Sequence, residues 1–208
     1  MNQWTVKNGY PLPLIADILD GVGSKKVFTK LDLRWGYNNV RIKEEDEWKA
    51  VFTIHIGAYK PTIIYFGLTN SPTTFQTIMN DLFCDMINQG NMATFIDNII
   101  VATEIEKGHN KVVKEVLKQL KENDLFVKPK KYQWKVKKVE FLGVVIGLKG
   151  VEIQKEKVEG VSNWPTPRNI KEVQKFLGLA NYYRQFIKDF VKLAAPLHVL
   201  VRKEKKWR

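Results

Sequence analysis

A single cysteine, Cys84, among 208 residues leaves no internal disulfide framework on which to build a fold, and fits a reducing compartment. Histidine is nearly as scarce. His55, His109 and His198 lie far apart with no cysteine or histidine neighbours at ligand spacing, which argues against a zinc centre. No apolar run approaches the length needed to span a bilayer, so no membrane partner is expected. Met1 is not followed by a basic segment and an apolar run, which predicts no secretory signal. Internal repeats and low-complexity tracts are missing too. There is no Gly-x-Ser-x-Gly, no Cys–His pairing in sequence and no Walker-type phosphate loop, so nucleophilic catalysis has nothing to stand on.

Negative charge is also short. Twenty-two Asp and Glu face 34 Lys and Arg, a net charge of +12. Such an excess says nothing about fold but points to a polyanionic partner, of which nucleic acid is the commonest. The 44% hydrophobic content is close to the globular norm, and the length allows one sizeable domain or two small ones.

Two prolines, Pro11 and Pro13, precede a short amphipathic helix whose apolar face is Leu14, Ile15, Ile18 and Leu19, ended by Gly21 and Gly23. Val27 to Leu33 alternates as a strand does, with Asp32 near its end on the face opposite Leu31 and Leu33. Gly36 interrupts this pattern and Val40-Arg41-Ile42 resumes it. Lys49 to Ile56 and Thr62 to Phe66 flank Gly57 and predict a hairpin with at least one buried face. Ser71-Pro72 reads as a capping hydroxyl followed by a first-turn proline. The stripe Phe75, Ile78, Met79, Leu82, Phe83 and Met86 then assigns a helix face to the core.

Thr94 to Val101 reads as two short buried strands joined by a two-residue turn with Asp97 and Asn98 at its tip. Asp and Asn suit a turn for backbone reasons alone. A metal-binding carboxylate on a rigid loop fits the same residues. Thr103 to Glu106 has capping-box spacing before a helix that buries Val112, Val113, Val116, Leu117 and Leu120. From Phe126 to Ile153 the texture is that of strands. Lys128, Lys130, Lys131, Lys135, Lys137 and Lys138, interleaved with Tyr132 and Trp134, make the best candidate surface for phosphate and base contacts. Trp164-Pro165-Thr166-Pro167 predicts a hard turn, and Asn169 with Glu172 caps a helix carrying Val173, Phe176, Leu177, Ala180 and Tyr183. A last helix runs from about Val191 to Val201 into the basic end. The region beyond Gly150 is mainly helical, and a subdomain boundary is expected there.

Asp32 and Asp97 are the candidates for chemistry. Two carboxylates from separate strands, meeting at one sheet edge, suit hard divalent cations such as magnesium. Paired ions activate an attacking oxygen and stabilise a leaving one in phosphoryl transfer. The residues by themselves reach a metal-dependent nucleotidyl transferase or nuclease.

Five ordered motifs go further. Phe28-Thr29-Lys30-Leu31-Asp32-Leu33-Arg34-x-Gly36-Tyr37, Phe66-Gly67-Leu68-Thr69-Asn70-Ser71-Pro72-x-x-Phe75-Gln76 and Phe95-Ile96-Asp97-Asn98 are followed by Val139-Glu140-Phe141-Leu142-Gly143 and by Trp164-Pro165-x-Pro167 with Val173-Gln174-x-Phe176-Leu177-Gly178. In order and spacing they resemble the reverse transcriptases of gypsy-type LTR retrotransposons, from Thr5 to the basic end. The resemblance implies an α+β right-hand polymerase fold. Its palm of antiparallel sheet and helices would take 14–37 and 71–150, partial fingers 38–70, and a helical thumb 151–208.

It further implies that Asp32 and Asp97 bind two magnesium ions, with manganese as the alternative. Tyr37 matches the residue that excludes a 2′-hydroxyl, Phe66 and Gly67 the floor of the nucleotide pocket, and Leu142-Gly143 the turn that grips the primer end. Lys128, Lys130, Lys131 and Trp134 are the candidates for primer–template contacts. The implied partners are an RNA or DNA template–primer duplex and deoxynucleoside triphosphates, and the implied location is a cytoplasmic virus-like particle or the nucleus. Two departures from the family pattern predict impaired catalysis. The signature reads Phe95-x-Asp97-Asn98 where the family has Tyr-x-Asp-Asp, and the chain starts downstream of a basic fingers segment. Unit charges about 4 Å apart interact by roughly 4 kcal/mol at an effective dielectric near 20, so an amide at Asn98 weakens the field on the metals. A catalytically inactive nucleic-acid-binding remnant, using the Lys128–Lys138 strip and the basic end, is the alternative; a metal-dependent nuclease is a third reading.

Overall fold

The computed structural model describes residues 2–202. Lys203, Lys205, Lys206 and Arg208 of the basic end therefore lie outside the described residues. The chain forms two compact units. The first comprises Met1–Phe141 with Ile146–Gly150; the second comprises Leu142–Val145 and the chain from Val151 onward.

In the first unit, helix α1 (Ile15–Gly23) buries Ile18, Leu19 and Val22, while Leu14 is left exposed outside its N-terminus. The helix runs straight through Gly21. Strand β1 (Val27–Asp32) is central in a four-stranded antiparallel sheet of order β4-β5-β1-β6, with β4 at Met92–Phe95, β5 at Asn98–Thr103 and β6 at Gln133–Val136. Alternation along β1 sends Leu31 to the same buried cluster as Ile99 and Val101. Phe28, on the other face, is also fully buried. A strand covered on both sides buries residues of both faces, and here only Lys30 is not fully buried, its ammonium 3.7 Å from the Asp32 carboxylate.

Helix α2 (Ser71–Leu82) and the short α3 (Cys84–Asn88) supply Phe75, Met79 and Met86 to that cluster, and Phe83, the residue that separates the two helices and interrupts the single helix the stripe suggests, joins them there. Ser71 is already helical, and its hydroxyl donates to the Tyr65 carbonyl at 3.0 Å instead of capping the helix. Helix α4 (His109–Glu122) closes the cluster with Val113, Val116 and Leu120.

Two expectations fail in the 38–70 region. The hairpin pairs β2 (Phe52–Ile54) with β3 (Gly57–Tyr59), and all six residues are exposed. Its turn closes at His55-Ile56, with Gly57 at φ +149°, so the second strand begins five residues earlier than Thr62. Thr62–Ile64 instead bonds back to Val40–Ile42, through Ile42 N–H to the Thr62 carbonyl and Ile64 N–H to the Val40 carbonyl. Lys49 and Ala50 belong to a 3-10 turn, Glu44–Ala50, whose buried Glu47 pairs with Lys60 at 3.0 Å.

The Thr103–Glu106 capping box does not form either. Thr103 ends β5, paired with Val27, so its backbone is extended and its hydroxyl donates to the Ile105 carbonyl at 3.0 Å. With that hydrogen used, Thr103 accepts from His109 Nδ1–H at 2.9 Å. His109 Nε2 must then accept from the Thr29 hydroxyl at 2.8 Å, and Thr29 in turn accepts the Lys135 N–H at 3.0 Å. One directed relay thus crosses β6, β1, α4 and β5 through a fully buried, neutral imidazole.

Strands β7 (Lys138–Phe141), β8 (Val144–Gly147) and β9 (Gly150–Ile153) form a three-stranded sheet in that order. The second unit continues as α5 (Lys155–Ser162), α6 (Ile170–Tyr182) and α7 (Phe190–Leu200). Asn169 caps α6 by accepting the Glu172 N–H at 3.0 Å, and Glu172 reaches back to the Arg168 N–H at 2.7 Å. Val173 and Leu177 of α6 pack with Ala194 of α7, and Trp164 tilts against Phe176 at 5.9 Å.

Burial, and secondarily the Lys135 cation, lower the His109 pKa below its ordinary 6.5, while Glu106 opposes the shift. The unfolded chain therefore binds the proton more readily than the folded one. The stabilisation is complete above about pH 6.5 and is lost as pH falls from there toward the folded value. Urea denaturation between pH 7.5 and 5 should show a falling midpoint that flattens in His109→Gln.

Candidate active site

Asp32 and Asp97 are brought together by strand register. Asp32, the last residue of β1, faces Asn98, the first of β5, across the ladder. Beyond that rung the Leu33 N–H donates to the Asp97 carbonyl at 3.0 Å. The two aspartates therefore sit at one end of the sheet, Asp32 closing β1 and Asp97 in the turn that leads into the neighbouring β5. Asp32 is buried and Asp97 half-buried.

The turn itself differs from the expected one. Phe95 pairs with Asn98, so the loop residues are Ile96 and Asp97, and Asn98 belongs to β5. Ile96 takes the positive φ, +55°. A β-branched residue in that region is strained by roughly 1–3 kcal/mol and persists only where its surroundings over-determine it. Gln76 of α2 does so. Its Oε1 accepts the Ile96 N–H at 2.7 Å, and its amide nitrogen donates to the Thr94 hydroxyl at 3.0 Å and to Asn80 Oδ1 at 2.8 Å. Asn80 donates onward to the Tyr10 hydroxyl at 2.7 Å. Gln76 is fully buried and has no role in the sequence reading. Its signals in the sequence are its place at the end of the second motif and a polar side chain next to the Phe75 stripe.

Gly36 approaches the same turn. A Cβ there would lie 3.0 Å from Phe75 Cζ and 3.4 Å from Asp97 Cβ, so the close passage depends on glycine. Tyr37 follows, with its ring edge-to-face against Phe66 at 4.7 Å and Phe75 at 5.5 Å. Burial raises the Tyr37 pKa, and the negative charge of Asp97 raises it further, so the phenol stays protonated. Phe66 is no core aromatic: 78% of it is exposed. Gly67 beside it has φ +101° and open space where a side chain would be.

The basic strip begins at the back of Asp32. Val127 bridges Leu33, and the Lys128 N–H donates to the Asp32 carbonyl at 2.8 Å. Lys130 and Lys131 are exposed in a 3-10 turn, Pro129–Lys131, and Trp134 and Tyr132 are also exposed. Lys135 is engaged by Glu106. Leu142 and Gly143 form the turn between β7 and β8 and belong to the second unit, apart from the aspartates' unit.

The charges around Asp32 are modest. Lys30 Nζ lies 3.7 Å from Asp32 Oδ2, and the Asn98 amide donates to Asp97 Oδ1 at 3.1 Å. Among the described residues no group of three or more Asp, Glu, His or Cys could hold a metal. Two carboxylates and one amide oxygen do not make a closed protein cage. They do fit magnesium, which keeps much of its shell as water and substrate phosphate and takes one or two carboxylates from the protein.

An antiparallel sheet backed by helices, with one aspartate at a strand end, another in the adjoining turn and a helical unit after it, is the architecture of a right-hand polymerase. Solved structures agree. The foamy viral protease-reverse transcriptase in complex with RNA/DNA hybrid matches at TM-score 0.86 and 28% identity, covering 100% of this chain and 28% of that one. The same enzyme's dRH form with ds DNA matches at 0.88 and 27%, covering 100% and 37%. The chain belongs to the reverse transcriptase (RNA-dependent DNA polymerase) family, whose sequence profile matches residues 1–146. Curated relatives include the Transposon Tf2-7 polyprotein of Schizosaccharomyces pombe, 33% identical over 208 residues, and the Tf2-3 polyprotein, 32% identical. Each match covers 100% of this chain and 16% of the relative, so the chain spans about one-sixth of those polyproteins. The family generally uses divalent metal ions.

Gln76→Leu should leave the Ile96 N–H without its partner, costing about 1–3 kcal/mol. A lowered urea midpoint, with faster hydrogen exchange at Ile96 than in β1, checks it.

Proposed function

We propose that this chain carries the polymerising site of a retrotransposon reverse transcriptase. A primer 3′-oxygen attacks the α-phosphorus of a deoxynucleoside triphosphate, pyrophosphate leaves, and the hydroxyl proton passes to solvent, all on an RNA or DNA template. The observation that carries the reading is the register of β1 with β5. It brings Asp32 and Asp97 to one end of the sheet, with Asp97 tied to the β1 end by the Leu33 N–H.

Asp32 and Asp97 would hold magnesium, which when bound lowers the pKa of the attacking hydroxyl and neutralises charge on the leaving phosphates. The other residues orient and exclude. Tyr37, held between two aromatic edges, forms a rigid wall against which a ribose 2′-hydroxyl clashes while deoxyribose fits. Phe66 offers an exposed apolar face, and Gly67 lets the sugar and phosphates approach the backbone. Lys130 and Lys131 neutralise duplex phosphates without reading bases, and Trp134 offers a stacking face.

One feature of the site favours a second reading, a nucleic-acid-binding domain without catalysis. The Lys30 ammonium lies 3.7 Å from Asp32, and Asn98, which donates to Asp97, contributes no charge. Weak metal binding follows from that balance, so catalysis is slow or lost while duplex binding persists.

Primer extension separates the two. The chain should incorporate slowly, Asn98→Asp should raise the rate at least about tenfold, and Asp32→Asn should lower it at least about a hundredfold. Incorporation by neither the natural chain nor Asn98→Asp, with duplex binding intact, would leave the non-catalytic reading standing. In that same binding assay, replacing Lys130 and Lys131 by alanine should flatten the log–log salt dependence by about 0.9 per lysine.

A further inference from the structure

Between β7 and β8 the chain turns on two residues, Leu142 at φ +48° and Gly143 at φ +80°. Two consecutive left-handed residues make the tight turn that matches strand twist. Glycine adopts it freely, whereas leucine is strained there. The antiparallel ladder already closes such a turn, so no outside partner is needed.

A partner is nonetheless built in. Tyr182, the last residue of α6, donates its hydroxyl to the Leu142 carbonyl at 2.6 Å. Tyr183, buried and next in sequence, sets its oxygen against Gly143, where an added Cβ would come within 3.1 Å. The two rings brace each other edge-to-face at 4.8 Å. Burial raises both phenol pKa values, and Tyr183 raises that of Tyr182 further, so the donor stays protonated over any working pH. Leu142–Val145 accordingly falls with the helical unit, although the residues on either side of it in sequence belong to the first unit. A strained residue held by more contacts than its fold requires is the pattern found where exact geometry serves a function.

We propose that Tyr182 and Tyr183 are positioning residues for the primer strand, locking the Leu142–Gly143 turn to the end of α6 so that helix α6 sets the surface the primer end meets. The assignment rests on the reverse transcriptase reading, in which that turn contacts the primer. Neither tyrosine touches the reacting atoms; both act through the turn.

The full chain is compared with Tyr182→Phe, Gly143→Ala and the double variant Gly143→Ala/Tyr183→Phe. Measurements are hydrogen exchange at residues 142–145, affinity for a recessed primer–template by fluorescence anisotropy, kcat and KM for extension, and thermal melting. Tyr182→Phe loses one hydrogen bond and should speed exchange at the turn about tenfold and weaken primer–template binding about three- to tenfold. Its kcat should fall as well, since a primer end held less precisely reaches the in-line geometry less often. Gly143→Ala should weaken binding at least as much. Removing the Tyr183 oxygen that the new methyl meets should recover part of that loss. Unchanged exchange in Tyr182→Phe, or faster exchange with unchanged primer–template affinity, overturns the assignment. A natural chain that binds no primer–template overturns the functional reading, and the assignment with it; that failure is distinguished because it precedes any variant.

Discussion

The antiparallel ladder between β1 and β5 governs where the polar groups of this molecule can go. Six rungs run from Val27 opposite Thr103 to Asp32 opposite Asn98. Sliding that register by one residue would turn Leu31, Ile99 and Val101 out of their shared cluster. The same slide would carry Asp32 away from Asn98 and break the bond from Leu33 to Asp97. Hydrophobic burial and the placement of the carboxylates are therefore one constraint. Apolar contacts on the helix-covered face hold the register, and the register holds the site.

Buried hydrogen bonds then stiffen what burial has arranged. Inside a low-dielectric interior each unmet donor or acceptor is costly, so a satisfied network specifies a single geometry. His109 joins β1 to β5 through two threonines, with its proton position dictated by the chain of donors. Gln76 performs the corresponding task at the other end of the sheet, where it holds Ile96 in a backbone conformation that isoleucine avoids. The strain at the turn is compensated by α2, which is anchored in the core through Phe75 and Met79. Rigid support of this kind also fixes the backbone of Asp97, the next residue of the turn.

Charge is distributed with less generosity. An excess of 12 positive charges suits a polyanionic partner, while at the end of the sheet Asp32 lies beside Lys30 and Asp97 accepts from an amide at position 98. An amide at position 98 adds no negative charge beside Asp97, where a carboxylate would. Altering one side chain at a strand end changes the field without disturbing the core, because Asn98 is only half-buried and keeps its place in the ladder.

Much of the fold was legible in the residues. The alternation of β1, the stripe of α2 and the Asn169–Glu172 cap are local patterns, and each formed where expected, because neighbours in sequence decide them. The order of the motifs was enough to indicate the family and to bring Asp32 and Asp97 into one hypothesis. Reading from sequence misassigned the turn by one residue, the 52–59 hairpin by its second strand and Thr103 as a cap. In each case the deciding bond came from another element or from the strand ladder. What only the tertiary structure decided is held by partners distant along the chain: Ile96 on Gln76 across 20 residues, Leu142 on Tyr182 across 40, Thr29 on His109 across 80. Local composition carries periodicity and turn chemistry, but a buried hydrogen bond exists only after packing has excluded water from both ends. Sequence therefore determined the strands, helices and carboxylates of this protein, and the packed core determined which side chains hold them in place.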